Sequence, residues 1–312
     1  MAANRLKYFL VLWVIGTCSF QLSNDKAYPM LYDDFSGSTI DPSKWNAYDF
    51  VREVVNGELF LMQVARGQRV TNNMNIRGAQ NIYRLEADVS ILDIEDQYTE
   101  ESYSFPYASV TGLFASDRTG LSPGDLTGQF QIMTRIGKYR GNLEAKCLVW
   151  KILDSSGTSS DPVSEHSFST VVNLGETYRI WVAFDPSESK FSCGIDDQFH
   201  SITVDEAQFP PNVQWKAFRT DVRFFGPEGS ELSGKVAALF DNVVAKDTLG
   251  NPVVTDDFSG SRIDKNKWST YEFVRSICDG ELCTALRSEG ETSGISMTIN
   301  ESDKEYFSSV EA

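Results

Sequence analysis

Acids and aromatic rings at short spacing are the residues of this chain that could do chemistry. Asp93 and Glu95 stand two apart in Ile91-Leu92-Asp93-Ile94-Glu95-Asp96. In an extended strand that spacing puts both acids on one face. Two facing carboxyl groups are what cleavage of a glycosidic bond requires. Glu86 and Glu144 lie in other strand-like runs and are the remaining candidates for such a pair. Directly after the acidic run, Tyr98, Tyr103, Phe105 and Tyr107 occur amid Asp96, Glu100 and Glu101. Rings of this kind accept the apolar face of a sugar, and carboxylates accept its hydroxyls. The segment Gln97–Tyr107 reads as a long connection between strands, and long connections are often functional. The plainer reading is that some of these rings only pin the loop to the body. Trp181 is a second ring candidate: it alternates with Tyr178, Ile180, Val182 and Phe184 and faces away from them. His166 and His200 are too few and too scattered for a triad or a zinc site. There is no G-x-S-x-G, H-E-x-x-H, P-loop or C-x-x-C motif.

The elements that must position these groups read as β-strands almost throughout residues 30–247. Short apolar runs recur between Gly, Asn, Asp and Pro, beginning with Met30–Phe35 and ending with Lys235–Ala245. The one helix-like stretch is short, near Asp205–Gln208. A second order is laid over the strands. Residues 33–59 recur at 256–282 without a gap, at an offset of 223, and the match includes Phe35, Gly37, Ile40, Trp45, Arg52 and Leu59. A repeat of this size is a whole domain, not a solenoid or propeller unit. The expected plan is a signal peptide and linker at 1–27, a complete sandwich at 28–248, and an incomplete second copy at 249–312. That remnant, with only opening strands, is expected to be poorly packed or to pair with residues missing from this chain.

The net charge is −16. Such a surface repels phosphate backbones, so nucleic acid is not an expected partner. Arg5 and Lys7 precede the apolar run 8–20, which has the length of a signal-peptide core and is short for a membrane span. Export follows, to the extracellular space, periplasm or cell surface. Ile15-Gly16-Thr17-Cys18 offers a second reading as a lipidation site at Cys18, although Thr17 departs from that motif. Cys147 and Cys193 lie in strand-like runs and could pair if those strands are neighbours. Cys278 and Cys283 flank a hairpin turn and would stand diagonally across it, which makes a bridge doubtful.

The opening Asp33-Asp34-Phe35, then Ile40-Asp41 and Trp45, then Gly57-Glu58-Leu59, together with Tyr83–Ile91 and the closing Leu239–Ala245, resembles concanavalin A-like lectin/glucanase domains of the LamG-like kind, as carried by exported bacterial proteins. The resemblance implies an all-β fold, an antiparallel two-sheet jelly-roll sandwich. In the hydrolases of that clan the catalytic strand reads Glu-hydrophobe-Asp-hydrophobe-Glu. Here Ile91 stands at the nucleophile position, so a retaining mechanism lacks its first acid. In this fold the terminal strands run side by side, so Asp33, Asp34, Asp241 and Asn242 could converge on calcium. Capping of strand ends is the alternative for the same residues. The expected function is an exported, non-catalytic module that binds polysaccharide or cell-surface glycan, or serves adhesion or structure. The alternative is a divergent glycoside hydrolase or polysaccharide lyase. The expected binding residues are Tyr98, Tyr103, Phe105, Tyr107 and Trp181.

Overall fold

The computed structural model describes residues 32–227, 232–287 and 294–300. The signal-peptide region, Cys18 and residues 310–312 lie outside these. The chain divides into two compact units, Met1–Asp34 and Phe35–Ala312, and the account below concerns the second. Residues 30 and 31 of the expected first strand are also outside the described residues, and Tyr32–Phe35 carry no strand.

The protein is an all-β, antiparallel jelly-roll sandwich. Its larger sheet contains β1 (Phe50–Val55), β2 (Glu58–Arg66), β4 (Arg84–Glu95), β9 (Thr177–Asp185), β10 (Lys190–Ile195), β11 (Gln198–Thr203), β13 (Ser233–Lys246), β14 (Pro252–Asp256), β15 (Phe273–Cys278) and β16 (Glu281–Leu286). Its order is β11-β10-β9-β4-β13-β2-β1-β15-β16, with β14 beside β13. The smaller sheet runs β3 (Val70–Asn75), β12 (Lys216–Phe225), β5 (Tyr103–Ser116), β6 (Gln129–Tyr139), β7 (Asn142–Ile152) and β8 (Ser160–Ser167). Asp205 and Glu206 form a turn, and the single described helix is the 3-10 turn Ala79–Asn81.

Alternation builds the core. Along β2, Leu59, Leu61, Gln63 and Ala65 point inward while their neighbours stay half-exposed. Gln63 is the polar exception, and its amide donates to the Val70 carbonyl at 2.8 Å. The inward faces of both sheets meet in one apolar cluster, in which Leu61, Ile91, Phe130, Phe218 and Phe240 are buried. Each such side chain contributes about 1.5–3 kcal/mol by leaving water. At one flank a disulfide joins Cys147 on β7 to Cys193 on β10, so the expected pairing is present and spans the two sheets. Beside it the edge strands β8 and β11 meet through His166 and His200, whose rings stack at 4.5 Å. The histidines expected to be scattered are thus neighbours, because their strands close the same side of the sandwich. Cys278 and Cys283 are also joined, diagonally across the β15–β16 turn.

The two copies of the repeated opening exchange partners. The second copy's opening is not loose; it is inserted into the first sandwich. Trp268 is 0% exposed and its ring contacts Phe218 at 5.8 Å, while its indole N–H donates to Asp256 at 2.6 Å. Its backbone neighbours join β3, with Arg77 N–H donating to Lys267 at 2.8 Å and Ser269 N–H to Asn75 at 3.0 Å. The first copy's opening makes the same contacts on the second: Asn300 N–H donates to Lys44 at 3.0 Å and Asn46 N–H to Thr298 at 2.7 Å. A local two-fold relates the halves. β1 pairs with β15 with Val51 opposite Val274, and Phe50 meets Phe273 edge-on at 5.3 Å. Arg52 Nε donates to the Tyr271 carbonyl at 2.6 Å, and Arg275 Nε to the Tyr48 carbonyl at 3.0 Å.

Candidate functional site

The outer face of the smaller sheet gathers the groups that could bind a ligand. Strand parity decides which side chains reach it. On β5, Ala108, Val110 and Phe114 enter the core, so Tyr103, Phe105 and Tyr107 point outward. On β12, Phe218 and Val222 enter the core, and Arg219, Asp221 and Arg223 point outward. β6 and β7 add Met133, Arg135, Tyr139, Leu148 and Trp150. The expected loop Gln97–Tyr107 is therefore half strand: β5 begins at Tyr103, and the true connection ends at Ser102. Pro106 hid this in the sequence. It is tolerated because it lies just beyond the end of the β5–β6 ladder at Tyr107. Gly137 on β6 lets the rings lie flat, since a side chain there would meet Tyr107 Cβ at 2.7 Å.

Rings and guanidinium groups alternate across this face. Arg135 lies 4.2 Å over the Phe105 ring and 5.5 Å from that of Tyr107. Arg223 lies 5.7 Å from both Tyr107 and Trp150, and Arg140 sits 5.3 Å from Tyr103. Phe105 and Tyr107 form the floor and are buried; Tyr103, Tyr139, Trp150 and Trp215 stay half-exposed.

The electrostatic centre is Asp221. It accepts from Arg69 at 2.6 Å and from the Tyr107 hydroxyl at 2.7 Å, and Arg223 and Arg219 stand at 3.4 and 3.9 Å. Burial alone would raise its pKa, but Arg219, Arg69 and Arg223 hold it down at about 2. Burial raises the Tyr107 hydroxyl, which stays a protonated donor to Asp221. Beside this network several polar atoms are buried without a hydrogen-bond partner: Arg219 Nε, Ser109 Oγ and Asn73 Oδ1. They belong to adjacent strands in register, Asn73 opposite Arg219 and Arg219 opposite Ser109. Buried polar atoms normally find a partner, and an enclosed water would supply it to this row.

The other expected residues lie elsewhere. Tyr98 is 58% exposed on the hairpin that leads into β5, bridging to Tyr103 at one end of the face. Trp181 is on the larger sheet, under Arg84 at 4.1 Å, and so is not part of this surface. Asp93 and Glu95 also belong to the larger sheet, where Asp93 pairs with Lys235 at 2.7 Å; Ile91 is in the core. Glu86, a candidate for the carboxyl pair, lies on the larger sheet and is held by Lys246 at 2.7 Å, Arg84 at 2.9 Å and Arg179 at 3.4 Å. Those cations outweigh its burial and lower its pKa. Glu144 and Glu165 flank Lys146 at the β7–β8 edge, at 3.1 and 2.8 Å.

Asp241 and Asn242 stand at a bulge in β13, where Asn242 takes a φ of 48° and donates to Asp88 at 2.9 Å. A shallow cavity of about 340 Å³ is lined there by Asn242, Arg179, Lys267, Asp256 and Asp257. The last two are the second copy's counterparts of Asp33 and Asp34. Burial, with the charges of Asp88, Asp257 and Asp256, raises the Asp241 pKa. Among the described residues, no group of three or more His, Cys, Asp or Glu side chains is arranged to hold a metal ion. Asp33 and Asp34 themselves end the other compact unit.

No protein-family model matches the chain, and no curated protein does. Solved structures similar to it include LamAcat from Zobellia galactanivorans, at 15% identity and a TM-score of 0.32 over 67% of this chain and 94% of that one. A glycoside hydrolase family 16 endo-glucanase from Bacteroides ovatus is 11% identical, with a TM-score of 0.31 over 67% and 98%. A family 7 alginate lyase, A1-II′, is 10% identical, with a TM-score of 0.35 over 69% and 97%. Likeness at this level carries no residue role or activity to the present chain.

Proposed function

We propose that this protein is an exported, non-catalytic module that binds polysaccharide along the outer face of its smaller sheet. The observation that carries the reading is the row of half-exposed rings, Tyr103, Tyr139 and Trp150, interleaved with the half-exposed Arg135 and Arg223. Rings receive the sugar faces and the guanidinium groups beside them donate to hydroxyls. The acids on this face support binding over cleavage. Asp221 is caged as an anion, and Lys146 lowers the Glu165 pKa, so neither is poised as a proton donor.

Affinity electrophoresis of the full chain in polysaccharide-containing gels tests this. A double change of Trp150→Ala and Tyr139→Ala should weaken retardation about ten-fold, because each ring–sugar contact is worth roughly 0.5–1.5 kcal/mol. Trp181→Ala, on the other sheet, should leave it unchanged. Retardation that follows Trp181 and ignores Trp150 would place the site elsewhere. Release of reducing ends or unsaturated sugars from a retained polysaccharide would overturn the non-catalytic reading.

A further inference from the structure

We infer that the polysaccharide this face takes is polyanionic, carrying carboxylate or sulfate groups along its length. The inference rests on the reading that the face binds polysaccharide, and it adds the charge of the ligand. The protein as a whole carries −16, yet Arg69, Arg219 and Arg223 converge on this one surface around the buried carboxylate of Asp221, and Arg135 lies on the same face in the field of Glu165 and Glu144. A face made for a neutral glucan gains nothing from that concentration of cations, and burying them costs solvation.

One of these groups has unspent capacity. Arg135 makes no hydrogen bond or ion pair among the described residues. Its guanidinium is held flat over Phe105 and Tyr107, and burial lowers its pKa. Stacking fixes the plane of a guanidinium and leaves its N–H edge free, which is the edge that grips a carboxylate or sulfate with two parallel bonds. Arg219 is 4% exposed and acts behind the surface: its terminal nitrogen donates to the Tyr107 hydroxyl at 3.0 Å and holds that ring in place. Asp221 does not saturate the set. It has two oxygens for Arg69, Arg219, Arg223 and Tyr107 together, so an incoming anion meets donors that the protein's own acid cannot satisfy. Arg223, against the half-exposed Trp150, places a third guanidinium beside a ring that a sugar can cover. Spaced cations between rings suit a chain whose anionic groups recur with its sugars.

The test uses the full chain with three probes: polygalacturonate, a sulfated galactan and a neutral β-1,3-glucan. The expected result is retention by one or both polyanions, at least ten-fold stronger than by the neutral glucan. Arg135→Gln should weaken it roughly ten- to hundred-fold, the range for a charged hydrogen bond. Arg135→Lys, which keeps the charge but loses the planar fork, should fall between. Arg118→Gln, an exposed cation paired with Asp117 outside this face, should change nothing. Circular dichroism checks that each variant is folded. Retention by polygalacturonate alone names a carboxylate, and by the galactan alone a sulfate; either supports the inference. Equal binding of the neutral glucan, or an effect of Arg118→Gln as large as that of Arg135→Gln, overturns it and leaves the binding surface standing. Retention by none of the three defeats both readings.

Discussion

Replacing Trp268 by alanine should destabilise the first sandwich, although Trp268 belongs to the second copy of the repeat. Its ring is 0% exposed, stacked on Phe258 at 5.6 Å and set against Phe218 at 5.8 Å. Truncating a buried tryptophan costs about 3–5 kcal/mol. The change also removes the N–H that Asp256 accepts at 2.6 Å in a nearly buried setting, which adds about 1–3 kcal/mol. Trp45, its counterpart in the first copy, is only half-buried against residues 298–300. Its truncation should cost about 1 kcal/mol. With a guanidinium m-value of roughly 5 kcal/mol/M for a domain of this size, Trp268→Ala should lower the unfolding midpoint by about 1 M and Trp45→Ala by about 0.2 M. Fluorescence and far-ultraviolet circular dichroism, recorded together on the full chain, supply both values. Equal losses for the two variants, or a larger loss for Trp45→Ala, would refute the exchanged packing of the two openings.

Asp221, together with Asp117, should contribute to the acid limb of the stability curve. Its folded pKa, about 2, lies below the ordinary 3.8, so the unfolded chain binds more protons between those values. Its contribution, on the order of 2 kcal/mol, is complete above pH 3.8 and lost as the pH falls through 2. Asp221→Asn should remove its part of that limb and cost about 3–5 kcal/mol at pH 7 by leaving buried guanidinium groups uncompensated; denaturation at pH 2–7 checks both, and an unchanged acid limb would count against the assignment. Removing the Cys147–Cys193 bridge, which closes a 46-residue separation, should cost about 4 kcal/mol, against about 2 for the 5-residue Cys278–Cys283 bridge. Thermal melts of the two Cys→Ala pairs measure the difference.

The sandwich was legible because alternation is a local signal: the run Tyr178–Asp185 shows its inward and outward faces without any knowledge of its neighbours. The same signal in Phe218–Phe225 carries Arg219, Asp221 and Arg223 at every second position, so one row of the candidate face could have been read from β12 alone. What could not be read was that β6 would bring Arg135 beside it, because that depends on strand order. β8 carries little strand signal: its first half, Ser160–Glu165, is polar edge strand with Pro162, and edges need no apolar stripe. The exchange of openings was hidden for a different reason. Two similar segments face two similar slots, and sequence likeness alone does not say which segment fills which.

The bridges between Lys44–Asn46 and Thr298–Asn300 tie together residues from opposite ends of the described chain. They make the unit behave like a mechanical fuse. The pairing is antiparallel, so tension along the chain enters both segments from the same side, and their few bonds open one after another like a zipper. With the clasp open, the segment is still held by Asp49, whose buried carboxylate accepts from the Ile40 and Ile277 N–H groups at 2.9 and 3.3 Å. The sandwich, still plugged by Trp268, is loaded only afterwards.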